Sequence, residues 1–196
     1  MDIDNVKNTN ELDSVLQLVC EIFPQLDLDN DEYKYSRNFW IEKMSELPEL
    51  LLYAKDGCTI CGSVFAWVKN NSVTIGHCGV DSAYRGKGVG SALMVEVEKR
   101  VKDLGHHRIT LGALEVAEGF YAKLGYTGSL LIQSEEHSID ELKSLNELYE
   151  VIGTNVYDGT VNQVWLRLPV IDRELQRKYE ETFPGCNTQM AFGKTL

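Results

Sequence analysis

A chain of 196 residues with 43% hydrophobic and 25% charged residues has the length and composition of one globular domain with a real core. Its net charge of -11 argues against nucleic acid as a partner, and no apolar run approaches the ~18 residues of a membrane span. Asp2, Asp4, Glu11, Asp13 and Glu21 make a signal or transit peptide unexpected, so the five cysteines, an odd number, point to a reduced, cytoplasmic setting.

The predicted elements run as follows. Residues 2–6 alternate weakly, as a first strand would. Leu12, Val15, Leu16, Val19, Ile22 and Phe23 share one face at 3.6 spacing, which predicts a helix capped by Asn10 and stopped by Pro24. The acidic run Asp27 to Glu32 is like a calcium loop in part. It has Glu32 where the essential glycine belongs and Asn38 where the bidentate glutamate belongs, so no metal is expected there. A second helix is predicted over 31–44, with Tyr33, Phe39 and Trp40 available for packing. Residues 50–54 and 59–68 read as a hairpin across Asp56-Gly57, and Asn70-Asn71 turns into a strand over 73–80. Val89, Leu93, Met94, Val97, Val101 and Leu104 predict a helix closed by Gly105. A strand over 108–113 follows, then a short helix and a strand over 129–133. The tail predicts a helix over 139–148, a hairpin of 151–157 and 161–168 across Asp158-Gly159, a helix over 171–182 and a last strand over 188–194.

The most informative stretch is Arg85-Gly86-Lys87-Gly88-Val89-Gly90, between a strand and a helix. The first amides of a helix lack intrahelical partners and carry partial positive charge, and glycines let backbone approach a phosphate. Two nucleotide loops fail here. A Walker loop needs glycine where Asp81 stands and Ser or Thr where Gly88 stands. A dinucleotide fingerprint needs glycine where Ser91 stands.

Arg85, Gly88 and Gly90 fill the Arg/Gln-x-x-Gly-x-Gly/Ala pattern, so the run resembles the pyrophosphate loop of the GNAT superfamily of acyl-coenzyme A N-acyltransferases. About thirty residues on, Phe120-Tyr121-Ala122-Lys123-Leu124-Gly125-Tyr126 resembles the family's second signature, and Ala117 fits the same helix. The resemblance implies an α+β GNAT fold: a central mixed, mostly antiparallel twisted sheet of about six to seven strands flanked by helices. It makes residues 1–196 a single domain and residues 134–187 a helix-hairpin-helix insertion between two strands that would be neighbours.

The implied activity is transfer of an acetyl group from acetyl-CoA, without metal, to a primary amine of a small molecule. Anchoring falls to Arg85, Gly86, Lys87, Gly88, Val89, Gly90 and Ser91, with Cys78 and Val80 on the preceding strand. By register with the family, the Val80 amide is the oxyanion donor, and Gly79 allows the strand to splay. Tyr121 matches the general acid; a phenol with pKa ~10 is protonated at neutral pH. Thr74 stands where several relatives place a basic Glu, and Leu114 where many carry an Asn that holds the coenzyme. His77, Glu115 and the acidic loop are the remaining base candidates, and strand alternation sends His77 to the face opposite Thr74. Cys58 and Cys61 read as packing cysteines, since zinc would need two more ligands. Tyr149, Tyr157 and Trp165 wall the acceptor pocket, form a homodimer interface, or belong to plain core. The alternatives are an inactive acetyl-CoA-binding sensor or scaffold, and a peptide or protein lysine acetyltransferase.

Overall fold

The computed structural model describes residues 1–69 and 71–196, so the Asn70 half of the expected turn lies outside the described residues. In chain order the elements are β1 (Asp2–Asn5), α1 (Thr9–Ile22), α2 (Arg37–Glu46), β2 (Leu51–Asp56), β3 (Thr59–Lys69) and β4 (Ser72–Val80). There follow α3 (Val89–Asp103), β5 (Arg108–Gly112), α4 (Glu115–Lys123) and β6 (Thr127–Ser134). The chain closes with α5 (Ile139–Ser144), β7 (Val151–Tyr157), β8 (Val161–Arg167), α6 (Arg173–Thr182) and β9 (Asn187–Thr195). Two compact units divide these elements: residues 1–109 with 195–196, and residues 110–194.

In the first unit, β1, β2, β3 and β4 lie side by side, each pair antiparallel. Helices cover both faces of this sheet. Gly79 faces the end of α1, where an added Cβ would meet Ile22 and Phe23 at 3.0 Å. Gly62, on the other face, lies against Val89 and Leu93 of α3. Leu50, Leu51, Leu52, Val64, Phe65, Leu93 and Met94 form the core between. α1 starts two residues earlier than expected because Asn8, not Asn10, caps it: Asn8 Oδ1 accepts from Glu11 N at 3.0 Å. Glu11 reaches back to Lys7 N at 2.9 Å, so the pair closes the first turn from both sides. α2, by contrast, starts later than predicted, after Ser36, since residues 31–36 are spent in turns.

In the second unit the strand order is β9, β6, β8, β7, again antiparallel where registers are resolved. β9 is indeed the neighbour of β6, from Thr127↔Gly193 to Gln133↔Asn187. The expected count of about six to seven sheet strands is too low; the described residues form nine. The reason is that β6 has a second open edge, and β8 pairs with it from Ser129↔Arg167 to Ser134↔Asn162. The β7–β8 hairpin therefore extends the sheet instead of standing outside it. Asp158, Gly159 and Thr160 join its strands, with Asp158 and Gly159 both at positive φ. α5 is shorter than the helix expected over 139–148, although Ser138 and Glu141 form a capping box at its start.

Candidate functional site

The first unit builds a strand, a glycine loop and a helix start in sequence. After β4, the Asp81 carboxylate accepts from Ala83 N at 2.7 Å and holds a single 3-10 turn over Ser82–Tyr84. Gly86 and Gly88 then take φ of 74° and 83°, where an L side chain is strained. A Cβ built at either meets nothing within 4 Å, so both face open space. Gly88 is the N-cap residue of α3, and no side chain caps this helix. The first α3 amides are thus left for an external acceptor, with the exposed Arg85 and Lys87 beside them. Lys87 Nζ rests over the Tyr84 ring at 4.9 Å, and Arg85 Nε donates to the Val80 carbonyl at 3.2 Å. This arrangement fits a phosphate or pyrophosphate.

β4 supplies the second feature. Asp81 N donates to the Cys61 carbonyl at 3.0 Å, and Gly79 and Val80 sit in regular register opposite Ser63 and Gly62. In an antiparallel ladder every second amide points to the partner, so the Val80 and Cys78 N–H groups point away from β3. Cys78 pairs with Val64, and burial pushes its thiol up to about 12. It is a neutral thiol whose contribution here is backbone.

His77 is not where alternation would put it. The β3–β4 register slips between Phe65 and Ala66, leaving Gly76 as the extra residue. Thr74 lies opposite Trp67, whose ring packs on Trp40 at 5.8 Å, and His77 packs on the same Trp40 ring at 5.6 Å. His77 and Thr74 therefore share a face, contrary to expectation. His77 is buried between Phe65 and Trp40, with Nε2 3.2 Å from Ser63 Oγ. Burial lowers its pKa to about 3, which makes it a neutral packing residue and a poor base at neutral pH. The acidic loop carries exposed Asp27, Asp29, Asp31 and Glu32, with Asp31 Oδ1 accepting from Asn38 Nδ2 at 2.6 Å. Of the cysteine pair, Cys58 is exposed, while Cys61 is a buried free thiol 3.4 Å from the Ala54 carbonyl.

In the second unit, α4 carries Tyr121, which is 6% exposed and packs against Phe120, Tyr126 and Phe192. Leu114 sits at the N-cap position of α4 and is exposed, offering no capping bond. Glu115 is largely exposed, with Oε1 3.4 Å from Arg173 Nε. Sequence reasoning missed the neighbouring Glu118, a buried carboxylate paired with Arg173 Nη2. A signal for it existed: Glu118 falls three residues before Tyr121, on the buried stripe of the helix. Of the tail aromatics, Tyr149 donates from Oη to Asp172 at 2.8 Å, which tethers the start of α6.

The model of the Acetyltransferase (GNAT) family matches residues 12–126, more than half of the chain and the span of both motifs. Curated protein sequences give no match. Among solved structures, Rv2747 from Mycobacterium tuberculosis, in complex with CoA and NLQ, aligns with a TM-score of 0.55 at 15% identity, covering 100% of this chain and 99% of that one. An N-acetyltransferase from Staphylococcus aureus Mu50 gives 0.53 at 15% identity, covering 85% of this chain and 96% of that one. The PaiA N-acetyltransferase from Thermoplasma acidophilum, in complex with coenzyme A, gives 0.50 at 17% identity, covering 86% and 100%. The structural likeness establishes the fold, and the family match establishes the lineage: this chain belongs to the GNAT acetyltransferase family.

Proposed function

We propose that the chain transfers an acetyl group from acetyl-CoA to a primary amine of a small molecule. The observation that carries this is the uncapped start of α3 behind two open, positive-φ glycines. In this reading the backbone from Arg85 to Ser91 holds the pyrophosphate, Lys87 and Arg85 add charge, and Cys78 and Val80 line the pantetheine arm through their outward amides. The amine lone pair attacks the thioester carbonyl carbon; the C–N bond forms and the C–S bond breaks. The Val80 amide donates to the carbonyl oxygen as negative charge develops there. Tyr121 gives its phenolic proton to the departing sulfur, and the amine nitrogen loses one proton. With His77 buried and neutral, that proton leaves to water in this scheme. The exposed acidic loop Asp27 to Glu32 and the net charge of -11 support a cationic acceptor. Both compact units belong to one catalytic domain, with residues 134–187 as its family-atypical insertion.

The same buried His77 favours one rival, a coenzyme-binding sensor or scaffold without turnover. Release of free thiol from acetyl-CoA, measured across small amines, polyamines and a lysine peptide, separates the readings. Turnover with a small amine is the expected result. Turnover only with the peptide would shift the acceptor class, and binding of acetyl-CoA with no turnover on any amine would favour the sensor.

A further inference from the structure

α4 has only nine residues and no capping side chain, so it is too short to hold its own position. Its two buried residues, Glu118 and Tyr121, are three apart and so lie on one face. A carboxylate 3% exposed must be paired or neutralised, and Arg173 at the start of α6 pairs it. The single guanidinium makes three contacts: Nη2 donates to Glu118 Oε2, Nη1 donates to Gln176 Oε1, and Nε lies 3.4 Å from Glu115 Oε1. It therefore grips two successive turns of α4 at once. The grip is anchored in turn. Gln176 Nε2 donates to Thr188 Oγ1 at 3.3 Å, and Thr188 Oγ1 donates to Glu180 Oε1 at 2.6 Å, tying α6 to β9. These groups border an open pocket of about 760 Å³ within the second unit, so on this side polar contacts hold α4, while Tyr121 packs on Tyr126 and Phe192.

We propose that Arg173 is a positioning residue that fixes the rotation of α4 through Glu118 and so aims Tyr121. The inference rests on the reading of Tyr121 as the acid. It assigns a purpose to the start of α6: the atypical C-terminal segment steadies the helix that bears the reacting phenol. A planar fork suits this better than an ammonium, because it can hold two carboxylates at fixed angles.

The test is a mutant cycle read as kcat and KM for acetyl-CoA, with melting temperature as a control for folding. Tyr121→Phe should lower kcat by about 100-fold, as loss of a general acid does. Arg173→Met should lower kcat by about 10-fold with KM for acetyl-CoA within about 3-fold, because misaiming by a fraction of an ångström acts on the chemical step. Arg173→Lys should recover part of the loss. In the Tyr121→Phe background, Arg173→Met should lower kcat no further. An unchanged kcat in Arg173→Met, or the same loss with Tyr121 already replaced, overturns the inference while leaving Tyr121 in its role. Wild-type turnover in Tyr121→Phe overturns the reading beneath it, which is a different signature. Should Arg173→Met not fold, Glu118→Gln pulls the same lever: it keeps an acceptor oxygen and should lower kcat by about 3-fold, and no loss overturns the proposal.

Discussion

Both units have an apolar core, and they differ in what they bury beside it. In the first, Phe65, Trp40 and Trp67 pack edge to face on one side of the sheet, and buried His77 pairs with buried Ser63. The second packs Leu130, Ile132, Leu142, Val164 and Leu166 but also buries Glu118, Ser134, Gln163 and Gln176, and it joins elements through charge and hydrogen bonds as well. Apolar packing is non-directional, so the first unit can leave its loop to glycines and offer bare backbone to a ligand. Hydrogen bonds are directional, so the second unit can hold one side chain at one angle. The difference teaches where each kind of mutation should register: stability and coenzyme affinity in the first unit, turnover in the second.

The largest stability effect should come from emptying the aromatic cluster of the first unit. Phe65→Ala should cost about 3–5 kcal/mol, read by denaturant unfolding, since the ring is fully buried against Trp40 and His77. A cost near that of a surface substitution would break the contrast between the units. The next effect depends on pH. His77 has a folded pKa of about 3, below its unfolded value of ~6.5, so the unfolded state binds the extra proton. Its contribution to stability is complete above pH ~6.5 and is lost as pH falls toward 3, with a slope of up to about 1.4 kcal/mol per pH unit. Unfolding at pH 6.5 and 4.5 should show this slope in the wild type and lose that component in His77→Gln. Equal slopes would mean His77 is hydrated. The smallest stability effect belongs to the loop. Gly88→Ala forces alanine to φ 83° at a cost of about 1–2 kcal/mol, read by the same unfolding assay, and should sharply weaken acetyl-CoA binding. Unaltered affinity would move the coenzyme away from α3.

Much of this was readable in order. Regular hydrophobic periodicity placed α1, β3, β4 and α3, and the glycines marked the loop because only glycine takes φ of 74° and 83° without strain. The details that escaped depend on geometry that no local pattern encodes. Asn10 was the expected cap of α1, but Asn8 Oδ1 accepts from Glu11 N while Lys7 N donates to the Glu11 carboxylate. The bulged residue Gly76 has to be glycine because an added Cβ would sit 2.5 Å from Trp67 and 2.7 Å from Trp40, a close approach between distant residues. It reverses the face of His77 and with it any argument from simple alternation. The Glu118–Arg173 pair spans 55 positions, so the sequence showed a charge on a buried stripe but not its partner.

The most direct test of the account is thermal unfolding of the wild type and Gly88→Ala with and without acetyl-CoA, with NAD and ATP as controls. At ~100 times the dissociation constant, bound ligand should add about 2.7 kcal/mol, a shift of about 5–10 °C for a chain of this size. The account expects that shift with acetyl-CoA alone, and a much smaller one in Gly88→Ala. No shift, or a shift with a nucleotide control in its place, would contradict the assignment of the glycine loop and the acetyl-transfer chemistry built on it.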